Sequence, residues 1–361
     1  MQSNFVCYRC EKKYSLDKPI WRCECGGLLK IERRFKTMEI QKEDLSLWRY
    51  RDLLPVEQKD AMITLGEGMT PLLQRMISGY NIYLKMEFLS PTGSFKDRGA
   101  AVLLSKIKEW GIDRIVEDSS GNAGAAIAAY SAAAGVQCEI YLPEKTSEGK
   151  IKQIEAYGSS IKKIPGERDA VSRAVMEAAE SVYYASHSWN PLFFEGTKTM
   201  AFEIWEQLGY QAPEFLVIPV GNGTMLLGAF IGFMDLLKMG QIEKLPRFIA
   251  VQSANCAPIY ARFYGLELKS IKPTVAEGIS VGEPVRIDEI VEAVRETGGE
   301  VVTVTDKEVL KGVRELSRMG IYVEPTSGTV VAGFYQAIKK GLIKLKDKVI
   351  LPLTGNGLKK G

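Results

Sequence analysis

Lys96 is the residue whose setting in the sequence most directly suggests catalysis. Residues 90–99 read SPTGSFKDRG, in which a proline and a glycine end a strand and a helix follows. Ser94 and Asp97 form a capping pattern that places Lys96 in the first helical turn. The helix dipole is positive there and favours the neutral amine that attacks carbonyl groups. The same pattern also suits a solvated lysine on a surface helix, so this stretch alone leaves two interpretations open.

A second loop, DSSGNAG at 118–124, lies between a predicted strand and a helix of small residues at 123–134. The N–H groups at the start of such a helix favour an anion or a polar ring substituent. Asn122 adds a side-chain donor and acceptor. An ordinary N-capped core helix is the alternative interpretation.

Two more loops follow apolar runs that are typical of buried strands. After 215–220 come five residues whose backbone amides can cradle a phosphate without a cationic side chain: Gly221, Asn222, Gly223, Thr224 and Met225. Leu226 stands where a dinucleotide fingerprint has its third glycine, and no lysine follows at the spacing of a Walker loop. One phosphate group therefore fits better than a pyrophosphate. The last loop brings the hydroxyl of Thr354 to the end of a strand.

Strand-like and helix-like segments alternate around these loops. Strands are predicted at 82–86, 114–117, 139–142, 181–185, 215–220, 248–251, 301–304 and 349–353, and helices at 100–110, 123–134, 150–157, 169–180, 199–208 and 307–317. This alternation predicts an α/β fold of parallel sheets with helices on both faces, in which the loops after the strands share one edge. A phosphate cradle, an amine, an amide and a hydroxyl would meet there, a set that suits pyridoxal phosphate.

Four of the six cysteines fall within the first 25 residues: Cys7, Cys10, Cys23 and Cys25. Two pairs of thiols a dozen residues apart are typical of two knuckles around one tetrahedral zinc ion. The second pair is Cys-x-Cys rather than the commoner Cys-x-x-Cys, so reduced cysteines or a partly lost ligand set are the alternative. Zinc ribbons often bind nucleic acid, but this segment is not markedly basic. We therefore expect the ribbon to have a structural role. Cys138 and Cys256 are predicted core residues.

The composition is that of a globular protein: 361 residues, 46% hydrophobic and 25% charged, with a net charge of +3. That charge is no footprint for nucleic acid. No run reaches the ~18 apolar residues of a membrane helix, and the first residues lack the pattern of a secretion signal. We therefore expect a cytoplasmic protein with a small-molecule substrate and no nucleic-acid or membrane partner.

The motifs together resemble those of the threonine synthases, which belong to the fold-type II pyridoxal-phosphate enzymes. The resemblance covers nearly the whole chain, ribbon included, and rests on PTGSFKDR at 91–98, SGN at 120–122, NP at 190–191, EGTKT at 195–199, GNG at 221–223 and LTGNGLK at 353–359. It implies a homodimer and a two-domain fold of the tryptophan synthase β type.

The expected domains are a zinc-ribbon-like segment at 1–32, a large pyridoxal-phosphate-binding domain at 33–98 and 185–361, and a small α/β domain at 99–184. The charged segment 32–60 is predicted to be a linker with some helix. Closure of the two larger domains around the cofactor would exclude water.

The resemblance also implies a role for each loop. Lys96 forms the Schiff base with the cofactor and acts as general base, and Asn122 contacts the 3-oxygen of the ring. Residues 221–225 hold the cofactor phosphate, and Thr354 faces the pyridine nitrogen. A hydroxyl there cannot keep the ring protonated as a carboxylate would, which suits elimination and replacement chemistry. The implied reaction converts O-phospho-L-homoserine and water to L-threonine and phosphate.

Three positions depart from the family pattern. Phe193 stands where many threonine synthases have an arginine for the substrate phosphate, Ala123 where a threonine is common, and Asn356 where a histidine is usual. Without the arginine, a bidentate phosphate donor is lost.

Candidate substrate contacts in its place are Ser120, His187, Ser188 and Lys198; otherwise the leaving group is not phosphate. The alternative function is a β-replacement enzyme acting on O-phosphoserine, as in cysteate or cysteine synthesis, or a threonine/serine dehydratase. A non-catalytic binding module of the same fold is a third hypothesis, against which the intact Lys96 argues.

Overall fold

The computed structural model describes residues 3–33, 38–146, 148–166, 168–268 and 270–360. The strands are β1 (Asn4–Cys7), β2 (Lys13–Ser15), β3 (Leu29–Glu32), β4 (Leu72–Ile77), β5 (Tyr80–Lys85), β6 (Arg114–Glu117), β7 (Gln137–Pro143), β8 (Ser160–Ile164), β9 (Tyr183–Tyr184), β10 (Phe215–Pro219), β11 (Arg247–Ser253), β12 (Glu300–Val304) and β13 (Val349–Pro352). The α-helices are α1 (Lys96–Glu109), α2 (Asn122–Ala134), α3 (Glu148–Ala156), α4 (Arg168–Ala178), α5 (Pro191–Thr197), α6 (Thr199–Gln207), α7 (Thr224–Lys238), α8 (Pro258–Tyr264), α9 (Ile287–Glu296), α10 (Asp306–Arg318) and α11 (Pro325–Lys339). Short 3₁₀ helices lie at Leu47–Leu53, Lys59–Ala61, Glu87–Leu89, Glu277–Ile279 and Gly357–Lys360.

The chain packs as two compact units. The first unit contains Met1–Gly68 and Lys96–Thr197, and the second contains Met69–Phe95 and Lys198–Gly361. The domain boundaries predicted from the sequence remain a prediction. Within the described ranges, no helix combines the length and the apolar character that crossing a bilayer requires.

In the part of the second unit that the structure describes, a six-stranded sheet has the order β12-β11-β10-β13-β5-β4. Strands β5, β10, β11, β12 and β13 are parallel, and β10 and β13 are buried along their whole length, as strands covered on both faces must be. The α/β class with parallel sheets is thereby confirmed. β4 is antiparallel to β5 and was not predicted, because its exposed centre gives no strand-like alternation.

The first unit holds two sheets among its described residues. One is parallel with the order β8-β7-β6-β9, and the other is a small antiparallel sheet with the order β2-β1-β3 that carries the N-terminal cysteines. The predicted strand at 114–117 is confirmed as β6. The edge strand β8 is new, since its polar sequence SIKKI does not indicate burial.

The segment predicted as a linker is instead folded into the first unit, apart from 34–37, which lie outside the described residues. Trp48 and Tyr50 are buried in the 3₁₀ helix Leu47–Leu53. The indole of Trp48 donates to the carbonyl of Ile63 at 2.8 Å, and the Ile63 N–H donates to Ser105 of α1 at 2.8 Å. The linker prediction is wrong because the many charged residues of this segment suggested exposure, whereas its aromatic residues are buried.

Candidate active site

The loops after β5, β10 and β13 lie at one edge of the second unit's sheet, because these strands are parallel neighbours. The loop after β5 is fastened to the loop after β13 by backbone hydrogen bonds. The Phe95 N–H donates to the Thr354 carbonyl at 3.1 Å, and the Asn356 N–H donates to the Gly93 carbonyl at 2.9 Å. Lys96 follows Phe95 directly in the chain, so the hydrogen bond of Phe95 fixes where the backbone of Lys96 begins.

The loop after β10 has the geometry of an anion site. Gly223 is the N-cap of α7, with φ of +76°, and a Cβ there would lie 2.4 Å from Ile290 Cδ1. A Cβ at Gly221 would lie 2.9 Å from Ile279 Cα, so the packing requires glycine at both positions. A glycine N-cap brings no side chain to the helix start, which leaves the first N–H groups of a 15-residue helix suited to a phosphate.

Thr354 is buried at the end of β13 within a small hydrogen-bond network. Its hydroxyl oxygen lies 3.0 Å from Ser327 Oγ and 3.0 Å from Glu324 Oε1. Its N–H donates to Ser327 Oγ at 2.9 Å. Sequence reasoning missed both partners, because a glutamate before Pro325 indicates only the start of a helix.

The loop after β5 also carries two buried hydroxyls, those of Ser90 and Ser94, that have no hydrogen-bond partner among the described residues. α1 begins at Lys96, which confirms the predicted place of this lysine in the first turn. The predicted cap by the Ser94 hydroxyl is wrong, since the Ser94 backbone pairs with Gly355 in an antiparallel bridge that fixes its position. Unsatisfied buried hydroxyls at this edge suit a polar ligand.

The amine of Lys96 lies beside an aromatic ring of the first unit. Its Nζ is 5.7 Å from the ring centroid of Phe193, which is fully buried in α5. A Cβ at Gly99 would lie 2.3 Å from Phe193 Cε1, so the ring packs directly on the first turn of α1. Lys96 itself is half-buried, which disfavours the alternative of a solvated surface lysine.

The loops after β6 and β9 form the corresponding edge of the first unit's sheet, because these strands are parallel neighbours. They carry four of the predicted site residues: Ser120, Asn122, His187 and Ser188. Asn122 is the first residue of α2, behind a glycine N-cap.

The ring of His187 has defined neighbours in this edge. Its Nδ1 lies 2.7 Å from Glu117 Oε1, and both side chains are buried. Since a carboxylate oxygen only accepts, Nδ1 carries the hydrogen. The imidazole centroid is 6.1 Å from that of Phe193, so His187, Phe193 and Lys96 are successive neighbours.

Lys198 does not fit its predicted role as a phosphate contact. Its ammonium is fully buried in the second unit, 3.0 Å from Asp235 Oδ2 of α7. A Cβ at Gly232 would lie 2.5 Å from the Lys198 carbonyl oxygen, so the same helix holds the backbone at this position. The side chain therefore makes a structural ion pair.

The four N-terminal cysteines form one cluster, with the thiol sulfurs within 4.8 Å of one another. Cys7 Sγ lies 3.6 Å from Cys25 Sγ, and Cys10 Sγ lies 3.6 Å from Cys23 Sγ. Zinc–sulfur bonds of about 2.3 Å in a tetrahedron give sulfur–sulfur distances of about 3.8 Å, close to these. A Cβ at Gly27 would lie 2.8 Å from Cys7 Sγ, so the turn leaves room only for glycine. The geometry fits one zinc ion.

The thiols of the cluster have divergent acidities. Burial raises the pKa of Cys23, but hydrogen bonds from the Tyr14 hydroxyl and the Cys25 N–H outweigh burial and lower that pKa to about 6. A hydrogen bond from the Lys12 N–H lowers the pKa of Cys10, but the neighbouring thiols of Cys25 and Cys23 raise it overall to about 12. Thiols in such competition share protons that a metal ion would displace.

Glu67, which precedes Gly68 at the end of the first unit's first segment, is a buried acid in contact with α2. The Tyr130 hydroxyl donates to Glu67 Oε2 at 2.5 Å, and the Leu65 N–H donates to the same oxygen at 2.9 Å. Burial raises the pKa of Glu67 to about 7 in spite of these bonds. The folded protein therefore favours the protonated carboxyl.

We predict that Glu67→Gln removes a pH dependence of stability. A folded-state pKa raised from 4.5 to about 7 gives stability that is complete below pH 4.5 and is lost as the pH rises through about 7, amounting to about 3 kcal/mol. The free energy of unfolding of the glutamine variant should therefore increase relative to that of the wild type as the pH rises from 4.5 to about 7. Urea unfolding of both proteins at several pH values measures the difference, and parallel curves would contradict the prediction.

Comparison with known proteins identifies the family. Residues 63–355 match the family of pyridoxal-phosphate dependent enzymes. The chain belongs to this family. The matched range includes Lys96, the loop before α7 and the end of β13.

Individual relatives agree with this membership. The threonine synthase of Methanocaldococcus jannaschii is 36% identical, over 98% of this chain and 92% of that protein. The threonine synthase of Methanosarcina acetivorans is 35% identical, over 98% of this chain and 91% of that protein. Among solved structures, serine racemase from Dictyostelium discoideum superposes with a TM-score of 0.68 and 26% identity, over 80% of this chain and 92% of that one. These two threonine synthase alignments span 98% of the chain.

Proposed function

We propose that this pyridoxal-phosphate enzyme is a threonine synthase, which converts O-phospho-L-homoserine and water to L-threonine and phosphate. The observation that carries the proposal is the similarity to threonine synthases along nearly the whole chain. The β-replacement and dehydratase alternatives are not favoured by these relatives.

Each sheet edge, taken by itself, offers groups that suit one part of the cofactor. The glycine-capped start of α7, residues 221–225, would hold its single phosphate through backbone N–H groups. Thr354 would face the pyridine nitrogen, and Asn122 would contact the ring 3-oxygen. Bound pyridoxal phosphate supplies an aldehyde carbon and a ring that withdraws electrons from the substrate's Cα.

Lys96 would be the catalytic base. Its amine would hold the cofactor in the resting enzyme and would be free to act as a base once the substrate is bound. Once the substrate is bound, the amine would take the proton from Cα and pass it on, and would then take a second proton from Cβ as phosphate leaves from Cγ. Protons would return to Cγ and to Cα, and water would add its hydroxyl at Cβ, which gives threonine. The buried ring of Phe193 beside Lys96 excludes water from one side of the amine.

The substrate phosphate needs donors other than an arginine at position 193, since Phe193 is packed on Gly99. We assign this role to the loop after β9, with His187 oriented by Glu117 and Ser188 next to it, and to Ser120 after β6. A histidine whose Nδ1 hydrogen is held by a carboxylate presents Nε2 in a fixed direction. Nε2 donates to a phosphate in the charged imidazolium, in which both ring nitrogens carry hydrogens.

The function is tested with purified enzyme and three substrates. Incubation with O-phospho-L-homoserine should release phosphate and threonine in equal amounts. O-phospho-L-serine with sulfide or sulfite, and L-threonine alone, should give no comparable turnover. Turnover of O-phosphoserine without turnover of O-phosphohomoserine would overturn the proposal.

The cluster of four N-terminal cysteines would hold a structural zinc ion. Metal binding requires deprotonated thiols and is coupled to folding of the segment that carries them. Removal of zinc should therefore lower the stability of the first unit and leave the catalytic rate of the folded enzyme unchanged.

Cys7→Ser is expected to lower the zinc content from about one ion per chain and to lower the thermal midpoint of unfolding. Cys138→Ser is the matched control, because Cys138 is buried outside the cluster and should leave the zinc content unchanged. Metal analysis and thermal denaturation measure both effects. Equal zinc content in the two variants would contradict the assignment.

We further propose, from the family resemblance, that the enzyme is a cytoplasmic homodimer. Light scattering of the purified protein tests the oligomer, with an expected mass of twice that of the chain. A mass of one chain across the accessible concentration range would refute it.

A further inference from the structure

We propose that Glu324 is a positioning residue that makes the Thr354 hydroxyl a hydrogen-bond acceptor toward the pyridine nitrogen of the cofactor. The inference rests on the proposed function, in which Thr354 faces that nitrogen. It concerns which atom of the Thr354–nitrogen pair holds the proton.

The first step is the hydrogen-bond direction at Ser327. Its Oγ accepts from the N–H of Thr354 at 2.9 Å and from the N–H of Gly355 at 3.3 Å. With both acceptor positions used, the Ser327 hydroxyl acts outward as a donor. Thr354 Oγ1 at 3.0 Å is its nearer acceptor, since the Gly355 carbonyl lies at 3.5 Å.

The second step is the direction at Thr354 itself. Glu324 Oε1 lies 3.0 Å from Thr354 Oγ1, and a carboxylate can only accept. The hydrogen of the threonine hydroxyl therefore points to Glu324. One lone pair of Oγ1 is used by Ser327, and the other is the only polar function that the hydroxyl offers to a further partner.

Backbone hydrogen bonds fix the position of Glu324. Its N–H donates to the Gly355 carbonyl at 3.0 Å, next to the antiparallel bridge between Val323 and Asn356. A Cβ at Gly355 would lie 2.3 Å from the Glu324 carboxyl carbon, so the loop after β13 leaves this space to the carboxyl group. Glu324 is also the N-cap of the 15-residue helix α11, where the helix dipole favours a negative charge.

A hydroxyl that offers only a lone pair favours a protonated nitrogen opposite it. The expectation from Thr354 alone, a weakly electron-withdrawing neutral ring, therefore changes once Glu324 is included. Thr354 transmits the charge of a carboxylate one hydrogen bond further away. The ring nitrogen would hold its proton, which strengthens electron withdrawal from Cα.

The test is nitrogen-15 NMR of the resting holoenzyme reconstituted with ring-labelled pyridoxal phosphate. The wild-type resonance should lie at the value of a protonated pyridine reference. In Glu324→Gln it should move most of the way to the unprotonated value, because the glutamine amide can donate to Thr354 and turn its hydrogen outward. Glu315→Gln is the control, since the Glu315 carboxylate accepts from the Tyr335 hydroxyl of α11 and should leave the resonance in place.

An unprotonated resonance in the wild type overturns the inference without recourse to any variant, and so does an unchanged resonance in Glu324→Gln. Either result leaves the proposed function intact if the labelled cofactor is bound and O-phosphohomoserine is converted. Absence of bound cofactor would instead overturn the proposed function and this inference with it.

Discussion

Replacement of Lys96 by alanine is expected to abolish the visible absorption band of lysine-bound cofactor and to slow threonine formation by at least about 1000-fold. Both effects would have one cause, because the proposed mechanism uses the same amine to hold the cofactor and to move protons at Cα and Cβ. The Lys96→Ala variant should still fold, since Lys96 is half-buried at the start of α1 and the buried face of the helix is formed by later residues.

The matched control is Lys108→Ala, which removes an exposed lysine from the last turn of the same helix. It should keep the absorption band and the rate of the wild type. Absorbance spectra and a phosphate-release assay compare the three proteins. A Lys96→Ala enzyme that retains the band and turns over at the wild-type rate would remove Lys96 from the mechanism.

The sequence predicted the interior of the fold better than its edges. Strands β10 and β13 are apolar throughout, and a buried parallel strand leaves such a run in the sequence. Strands β4 and β8 lie at sheet edges with exposed residues, so backbone pairing decides their structure and the side chains do not indicate it. The packed segment around Trp48 was missed for a related reason, because its partner Ile63 is 15 residues away.

The candidate site divides in the same way. Lys96, Asn122 and Gly223 each stand at a strand-to-helix junction, which local sequence signals indicate. Glu324 and Ser327 act through Thr354 across about thirty residues, and no local pattern reveals such a pair. Phe193 could be identified as a departure from the family pattern, but its contact with Gly99 needed the structure.

Phe193 and Gly99 show how the departure is accommodated. An aromatic ring can lie on the first turn of α1 only because position 99 has no Cβ. The ring centroid lies 5.7 Å from Lys96 Nζ and 6.1 Å from the centroid of the His187 imidazole. Position 193 in α5 therefore has an aromatic ring packed on α1 where many threonine synthases have an arginine, which is why we propose substrate contacts in the loop after β9.

The buried ion pair between Lys85 and Glu203 joins β5 to α6 inside the second unit. Lys85 Nζ lies 2.7 Å from Glu203 Oε2, and both side chains are fully buried. The ammonium also donates to the Thr70 carbonyl at 2.7 Å and to Gln207 Oε1 at 2.9 Å. Lys85 is the last residue of β5, from which the chain continues toward Lys96, so this ion pair holds the end of the strand that precedes the proposed catalytic loop.

Glu203→Leu should therefore lower the free energy of unfolding by about 3–5 kcal/mol, because it leaves the buried ammonium of Lys85 without its counter-charge. The double variant Lys85→Met/Glu203→Leu should recover most of that loss, since two apolar side chains fill the same volume with no charge to bury. Chemical denaturation of the four proteins of this cycle gives the coupling energy. A double variant less stable than Glu203→Leu would mean that the bonds to Thr70 and Gln207, rather than the ion pair, hold β5 in place.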